Sequence, residues 1–434
     1  MFKNWFVLQW YSFTKIPLYS EHAIIKAHLR LIYIVIFHCC FKTRLMFINT
    51  QSSQLHKLGS NISQDLPVTA GNKFIATKKH FYWIDLFRFI SAFLVLLTHY
   101  RGMFFVEYGL LPENQHHTFI QIFYLLTRFG EQPVIVFFVL SGFLVGGKAI
   151  ENIFNNNVNL RSYFIDRFVR IFLPLIASSI LVIIIDMIIG NPIPFDSIVG
   201  SFFSLQGVFS SVGHNPPLWS LSYEVWFYIM MGCIMAISVK KISSNKLILC
   251  FIILSLCIYF FTRLNATYLL IWFMGAFAYL LPRENITHKK WKIVSLIALL
   301  GLAFILQQSV TQSRSVKINI ANFLDIGNTS IFLALITCLL VRCLITAEPK
   351  QRVAIKIEKI GSKLADFSYT LYLTHYPLMY LLAYYGFPKS KQVNSQSVFL
   401  YILSLIIGVT VAYLIYLVSE KHTYKMKQII KSVF

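Results

Sequence analysis

The chain has 434 residues, with 39 Lys and Arg against 17 Asp and Glu and a formal charge of +22. Hydrophobic residues make up 57% and charged residues only 13%, about half the share of an ordinary soluble domain, and 40 Phe and 23 Tyr add to the apolar load. These numbers exclude a soluble enzyme, a disordered chain and a fibrous one, and leave a multi-pass membrane protein whose basic excess lies in loops rather than on a nucleic-acid surface.

In chain order, residues 1–79 carry 10 Lys and Arg but 2 Asp and Glu. Their one apolar run, Leu31 to Phe41, is too short to span comfortably and too deep for a signal peptide. The segment reads as an N-terminal extension outside the functional core, either a surface amphipath or an over-long start with Met46 as the alternative first residue. From residue 83 onward, runs long enough to cross a bilayer, about 20 residues, recur near 83–100, 119–147, 168–190, 218–239, 246–262, 265–282, 291–308, 320–346, 366–387 and 397–419. The expected fold is all-α: a polytopic membrane bundle of about ten transmembrane helices over 80–425, with 426–434 as a cytoplasmic tail. The second run is overlong and interrupted at Ser141-Gly142, which predicts a bent helix or a re-entrant piece there. The fifth and sixth runs share a tight turn around Arg263, and the stretch Ile198 to Ser211 is short enough to lie at the interface. With the segment before residue 83 inside and strict alternation, and counting loop cations from Lys73 onward, 24 Lys and Arg fall on the inner side and 7 on the outer. Cytoplasmic loops carry such an excess, so both termini are expected in the cytoplasm. The seven cysteines have no metal-ligand spacing and read as small buried hydrophobes.

Charges inside the spans carry the chemical information, because each costs about 2.5–3.5 kcal/mol at a helix centre. Eleven helical steps bring Arg88 and His99 back to one face, about 16 Å apart along the axis. Asp85, three residues before Arg88, can pair with it. Snorkelling of Asp85 and Arg88, with His99 idle at the outer interface, accounts for the same pattern. Arg167 and Arg170 share a turn at the cytoplasmic start of the third span. Their guanidinium forks suit phosphate, and positive-inside anchoring is the plain alternative. Glu224 lies about a turn and a half inside the aromatic fourth span and needs a partner, for which His214 or His99 would serve. Trp219, Trp226 and Tyr228 around it fit an interfacial belt. His375 lies about two turns into the ninth span, as a site residue or as a hydrogen-bonded core histidine.

Taken together, Asp85-x-x-Arg88-x10-His99, Phe137-Phe-Val-Leu-Ser141-Gly142-Phe143, Arg167-x-x-Arg170, Trp219-Ser-Leu-Ser222-x-Glu224 and Ser368-Tyr-x-Leu-Tyr372-Leu-x-His375 resemble, in order, the motifs of the acyltransferase 3 family over roughly residues 81–420. The resemblance implies a multi-pass O-acyltransferase of a bacterial inner membrane. Such enzymes move an acyl group, usually acetyl, onto sugars of surface polysaccharide, O-antigen or peptidoglycan. It places the family's essential basic–histidine pair on Arg88 and His99 and its cytoplasmic arginine pair on Arg167 and Arg170. Acyl-CoA, specifically acetyl-CoA, would be the donor, held by Arg167 and Arg170, with no metal. His99 would serve as general base or transient acyl carrier, with Glu224 fixing its tautomer. Asp85, Trp219, Ser222, Ser141 and His375 would support the site or bind the acceptor. The implied partners are acyl-CoA, a sugar or polysaccharide acceptor, the bilayer and, without an extracytoplasmic domain, a separate acceptor-delivering protein. Ser419-Glu420-Lys421 lacks the proline that family members often carry there, which sets Glu420 aside. The rival reading is a transporter or flippase for a lipid-linked sugar or small anion, against which no inverted repeat is seen.

Overall fold

A computed structural model describes residues 82–210, 213–239, 242–281, 289–312, 326–345, 360–385 and 389–433. The extension 1–79, with Met46, lies outside the described residues, as do several of the loop cations counted above. Helices follow in order: α1 Tyr82–Phe104, α2 Thr118–Leu126, α3 Gln132–Phe154, α4 Leu160–Ile189, α5 Phe195–Phe202, α6 Trp219–Ser238, α7 Ser244–Arg263, α8 Thr267–Leu280, α9 Lys289–Gln312, α10 Ile326–Ile345, α11 Ser368–Tyr384, α12 Ser395–Val418 and α13 Thr423–Val433. Strands are absent among the described residues, so the all-helical expectation holds there. Each of the ten apolar runs carries a helix. Seven of the described helices are long and apolar enough to cross a membrane: α1, α3, α4, α6 (from Pro216), α7, α10 and α12.

Local chemistry sets the ends. Asn159 caps α4 through its side chain, accepting from Ser162 N at 2.9 Å, and Gly190 closes the same helix in the left-handed region at φ 79°. Asn394 and Ser397 form a reciprocal capping box at the start of α12. The second run departs from expectation. It is two helices, and the break falls at 127–131 rather than at Ser141-Gly142. Pro133 explains the restart, since it is pre-set for a helix's first turn and has no N–H to leave unpaired. The helix then runs through Ser141-Gly142 as a π segment, Gly142–Gly147. The tight turn after Arg263 is observed, with Asn265 N donating to the Tyr223 hydroxyl at 2.7 Å. The boundary placed at 425 falls inside α13, a basic helix that packs on α4 through Lys427 and Lys431 to Asp166, at 3.6 and 3.2 Å.

Burial sorts the helices into layers. α7 turns Ile248, Leu249, Phe251, Ile252 and Leu256 outward, the face a helix shows to lipid. α8, with 14 residues and a rise of about 21 Å, is shorter than the seven and lies inside the bundle, with Ile271, Trp272 and Ala276 fully enclosed. α11 is the central strut, packed against α1, α4 and α12, with Thr370, Leu371, Leu373, Thr374 and His375 sealed from solvent.

Candidate active site

The site begins with glycines. α3 meets α8 through Gly142, Gly146, Gly147 and Gly275; a Cβ at Gly142 would overlap the Trp272 carbonyl, and one at Gly275 the Val139 carbonyl. Only bare backbone allows this approach, the small-residue packing typical of membrane helices. The contact sets Ser141 Oγ 3.1 Å from Trp272 Nε1, which donates to it, and 3.1 Å from the Tyr228 hydroxyl. The π segment therefore sits beside a polar cluster, where such segments recur.

Ser141 and Tyr228 line a cavity of ≈ 80 Å³ between α1, α3, α4, α6 and α11. Its charged lining is three guanidiniums, Arg88, Arg167 and Arg170, and one carboxylate, Glu224. Tyr228 donates to Glu224 from one helical turn away, and Arg167 stacks over the Tyr228 ring at 5.7 Å. Asp85 pairs with Arg88 at 3.8 Å. Glu420, set aside in the sequence, accepts from Thr370 N (3.1 Å) and Thr370 Oγ1 (2.7 Å), within electrostatic reach of both Arg88 and Arg170. Two donors in the cavity lining, Arg167 Nε and the Tyr369 hydroxyl, are buried without a hydrogen-bond partner. The cavity thus offers two unpaired donors to an acceptor-rich ligand.

The histidines sit elsewhere. Neither His99 nor His375 lines this cavity; the two rings face each other at 5.2 Å between centroids, and Tyr376 meets His99 edge-on at 5.5 Å. Tyr372 joins the two regions, because it lines the cavity while its ring lies 5.8 Å from His375. His375 Nδ1 is 2.7 Å from the Tyr372 carbonyl. A carbonyl only accepts, so Nδ1 carries the hydrogen and Nε2 of the neutral ring is a bare lone pair. That Nε2 is buried with no partner.

The structure therefore brings together Arg88, Arg167, Arg170, Glu224, Ser141 and Asp85, and separately His99 with His375. It does not bring Glu224 to either expected histidine. Tyr228 is its hydrogen-bond partner, and His214 pairs with Asp186 at 2.8 Å. Ser222 is committed to the Ser204 carbonyl at 2.7 Å, and Trp219 packs against Phe138, Tyr223 and Tyr268; neither lines the cavity. Sequence reasoning missed Tyr228, Tyr369 and Tyr372 as cavity lining, because aromatics in a span look like belt or core, and Ser220, because a lone serine in a helix carries no signal of its own. Glu420 had one signal, a lone carboxylate at the end of the last apolar run. Among the described residues no group of three His, Cys, Asp or Glu is placed to hold a metal.

A family model described as an acyltransferase domain matches residues 81–417. No curated protein and no solved structure matches the chain.

Proposed function

The chain belongs to that family, acyltransferase 3, and from this premise we propose that it moves an acyl group, acetyl in the first instance, from cytoplasmic acyl-CoA to a hydroxyl of an envelope or exported glycan. The proposal includes ten spans with both termini cytoplasmic, in a bacterial inner membrane. The observation that carries it is the convergence of Arg88, Arg167 and Arg170 on one cavity whose wall residue Tyr372 borders the His99–His375 pair on its other side. At about 10–15 Å³ per water, ≈ 80 Å³ holds roughly five to eight water-sized groups. That suits the thioester end of a pantetheine arm, the acyl group, the sulfur and the adjoining methylenes, rather than a nucleotide. The nucleotide phosphates stay at the mouth, against Arg167 and Arg170, and the arm runs past Arg88 toward His99.

In the transfer itself, the acceptor oxygen attacks the thioester carbonyl, the C–S bond breaks as the C–O bond forms, and the thiolate leaves. His99 takes the hydroxyl proton, or first carries the acyl group on its ring. The orienting role expected of Glu224 passes to His375, whose ring neighbours that of His99 at 5.2 Å and whose Nε2 lone pair, unpaired in this structure, would accept from the His99 ring when the substrates are bound. Glu224 instead offsets the arginines. Asp85 and Glu420 do the same for Arg88.

The test is transfer of radiolabelled acetyl from acetyl-CoA into envelope glycan by membranes containing the protein, beside His99→Ala at matched expression. Label gained by the wild type and lost in the variant supports the reading. Equal label in both removes His99 from the chemistry, and unmodified substrate moved across the vesicle would favour a transporter.

A further inference from the structure

At the far end of α4, about 24–28 Å from Arg170 and Arg167 by helical rise, lies a second polar hollow that the donor path does not use. Asp186, on the last turn of α4, is 1% exposed, and its Oδ1 is 2.8 Å from His214 Nδ1 while Oδ2 is buried without a partner. His214 is partly exposed and stacks on Tyr380, with centroids 6.2 Å apart and planes 13° apart. Beside this pair is a cavity of ≈ 20 Å³ lined by Ser178, Ser197, Ser201, His214 and Asn215.

The lining has a consistent chemical sense. Asn215 is 2% exposed and its Nδ2 donates to the Leu373 carbonyl at 2.8 Å. That carbonyl can only accept, so the amide orientation is forced and Oδ1, buried with no donor, is an orphaned acceptor. Ser178 and Ser201 spend their hydroxyl hydrogens on the Leu373 and Ser197 carbonyls, both at 2.7 Å; Ser178 Oγ also accepts from Asn215 Nδ2 at 3.4 Å, and each oxygen keeps a lone pair to offer. A hollow of acceptors beside a carboxylate rejects phosphate and carboxylate ligands and calls for neutral donors, because a buried acceptor left unpaired is destabilising. The free volume admits one or two oxygens, not a whole ring, at about 10–15 Å³ each.

We propose that this hollow anchors one or two hydroxyl groups of a polyhydroxylated acceptor, a sugar, whose ring lies outside it against Tyr380 and His214. The inference rests on the acyltransferase reading for its link to chemistry. Tyr380 and Tyr376 stand on successive turns of α11, and Tyr376 meets the His99 ring, so a sugar on Tyr380 is about one turn, 5–6 Å, from the neighbourhood of His99. α5 roofs the hollow, turning Ser197, Gly200 and Ser201 inward and Phe195, Val199 and Phe203 outward. Asp186 acts here as a positioning residue, holding His214.

The test uses the full chain in nanodiscs, with methyl glucoside and the methyl glycoside of N-acetylglucosamine as probes, followed by saturation-transfer NMR. Coenzyme A binding is measured on the same samples. The expected result is saturation of sugar ring protons in the wild type, weakened at least about tenfold in Asn215→Leu and in Asp186→Asn, with coenzyme A binding unchanged. Where Asn215→Leu loses coenzyme A binding as well, the isosteric Asp186→Asn decides. No saturation of either probe in the wild type, equal saturation in all proteins, or displacement of the sugar by inorganic phosphate would overturn the proposal. Loss of coenzyme A binding from the wild type would instead count against the donor reading, whatever the sugars do.

Discussion

Replacing His375 by asparagine separates its two nitrogens. An asparagine amide reaches where Nδ1 lies, so it can still donate to the Tyr372 carbonyl, now 2.7 Å away, but it offers nothing at the position of Nε2. The retained hydrogen bond is worth about 0.5–1.5 kcal/mol, so the fold should be kept. What is lost is the unpaired Nε2 lone pair on the ring that neighbours His99, at 5.2 Å between centroids. Removing the partner that orients an acid–base imidazole costs about 10²–10⁴ in rate. The expected outcome for His375→Asn is a kcat lower by about 10²–10³, with an unchanged KM for acetyl-CoA and an unchanged Tm. The assay is the initial rate of labelled acetyl transfer in reconstituted vesicles, beside a thermal melt of the same protein. His375→Gln, whose amide reaches the Nε2 position instead, should show the opposite balance, recovering activity over Asn but melting lower. Wild-type kcat from the asparagine variant would refute the reasoning, as would parallel losses of stability and rate in both variants.

Further outcomes follow from the cavity and the helix contacts. Arg170→Ala and Arg167→Ala should raise the KM for acetyl-CoA about 10–100-fold, the loss of one charge-assisted hydrogen bond worth about 1.5–3 kcal/mol, read from a donor titration; an unchanged KM would free both residues from the donor. Glu224→Gln keeps an oxygen for Tyr228 to donate to but removes a charge facing three guanidiniums, so its effect should fall on donor KM rather than on kcat at saturation; a kcat loss beyond about tenfold with normal KM would restore it to the chemistry. Gly142→Ala should destabilise the protein by about 1–3 kcal/mol through overlap with the Trp272 carbonyl, whereas Gly301→Ala, where a Cβ meets open space, should stabilise α9 by up to about 1 kcal/mol; comparable melts for the two would contradict the close α3–α8 contact.

The helices were legible because each apolar run is a cost that only a spanning or buried helix can meet. Arg88 and Arg167-x-x-Arg170 were legible because charges in such runs stand out. What a single sequence does not carry is the register of one helix against the next. Glu224 looked like a partner for His99 because both were placed toward the same side of the membrane. Its real partner, Tyr228, is one turn away on its own helix, and the ring beside His99 comes from α11, more than 270 residues later. The break at 127–131 did carry a signal, since Arg128, Gly130 and Glu131 interrupt the run before Pro133 marks the restart, but the length of apolar sequence on both sides outweighed it. Conversely, Ser141-Gly142 signalled a bend, when the glycine instead lets α8 approach and the helix takes up the strain as a π segment.

Asp186 shows where the next step of reasoning lies. In the sequence it ends an isoleucine run and looks like an interfacial acid; in the fold it is enclosed and tied to His214. Leu373 stands between the two hollows. Its side of α11 lines the arginine cavity, while its carbonyl receives Ser178 and Asn215 from the other. The orphaned groups on the two sides have opposite sense. The arginine cavity leaves donors unpaired, Arg167 Nε and the Tyr369 hydroxyl; the second hollow leaves acceptors unpaired, Asn215 Oδ1 and Asp186 Oδ2. The two sets therefore favour ligands of different chemistry. A protein that joins an acceptor-rich, anionic thioester to a neutral, donor-rich polyol needs this division, and needs the reacting groups to meet between the two. His99 and His375 lie on that stretch, beside Tyr376 on one side and Tyr372 on the other. A transporter for a single substrate would gain nothing from two hollows of opposite hydrogen-bonding sense, and that asymmetry is the structural reason for preferring group transfer.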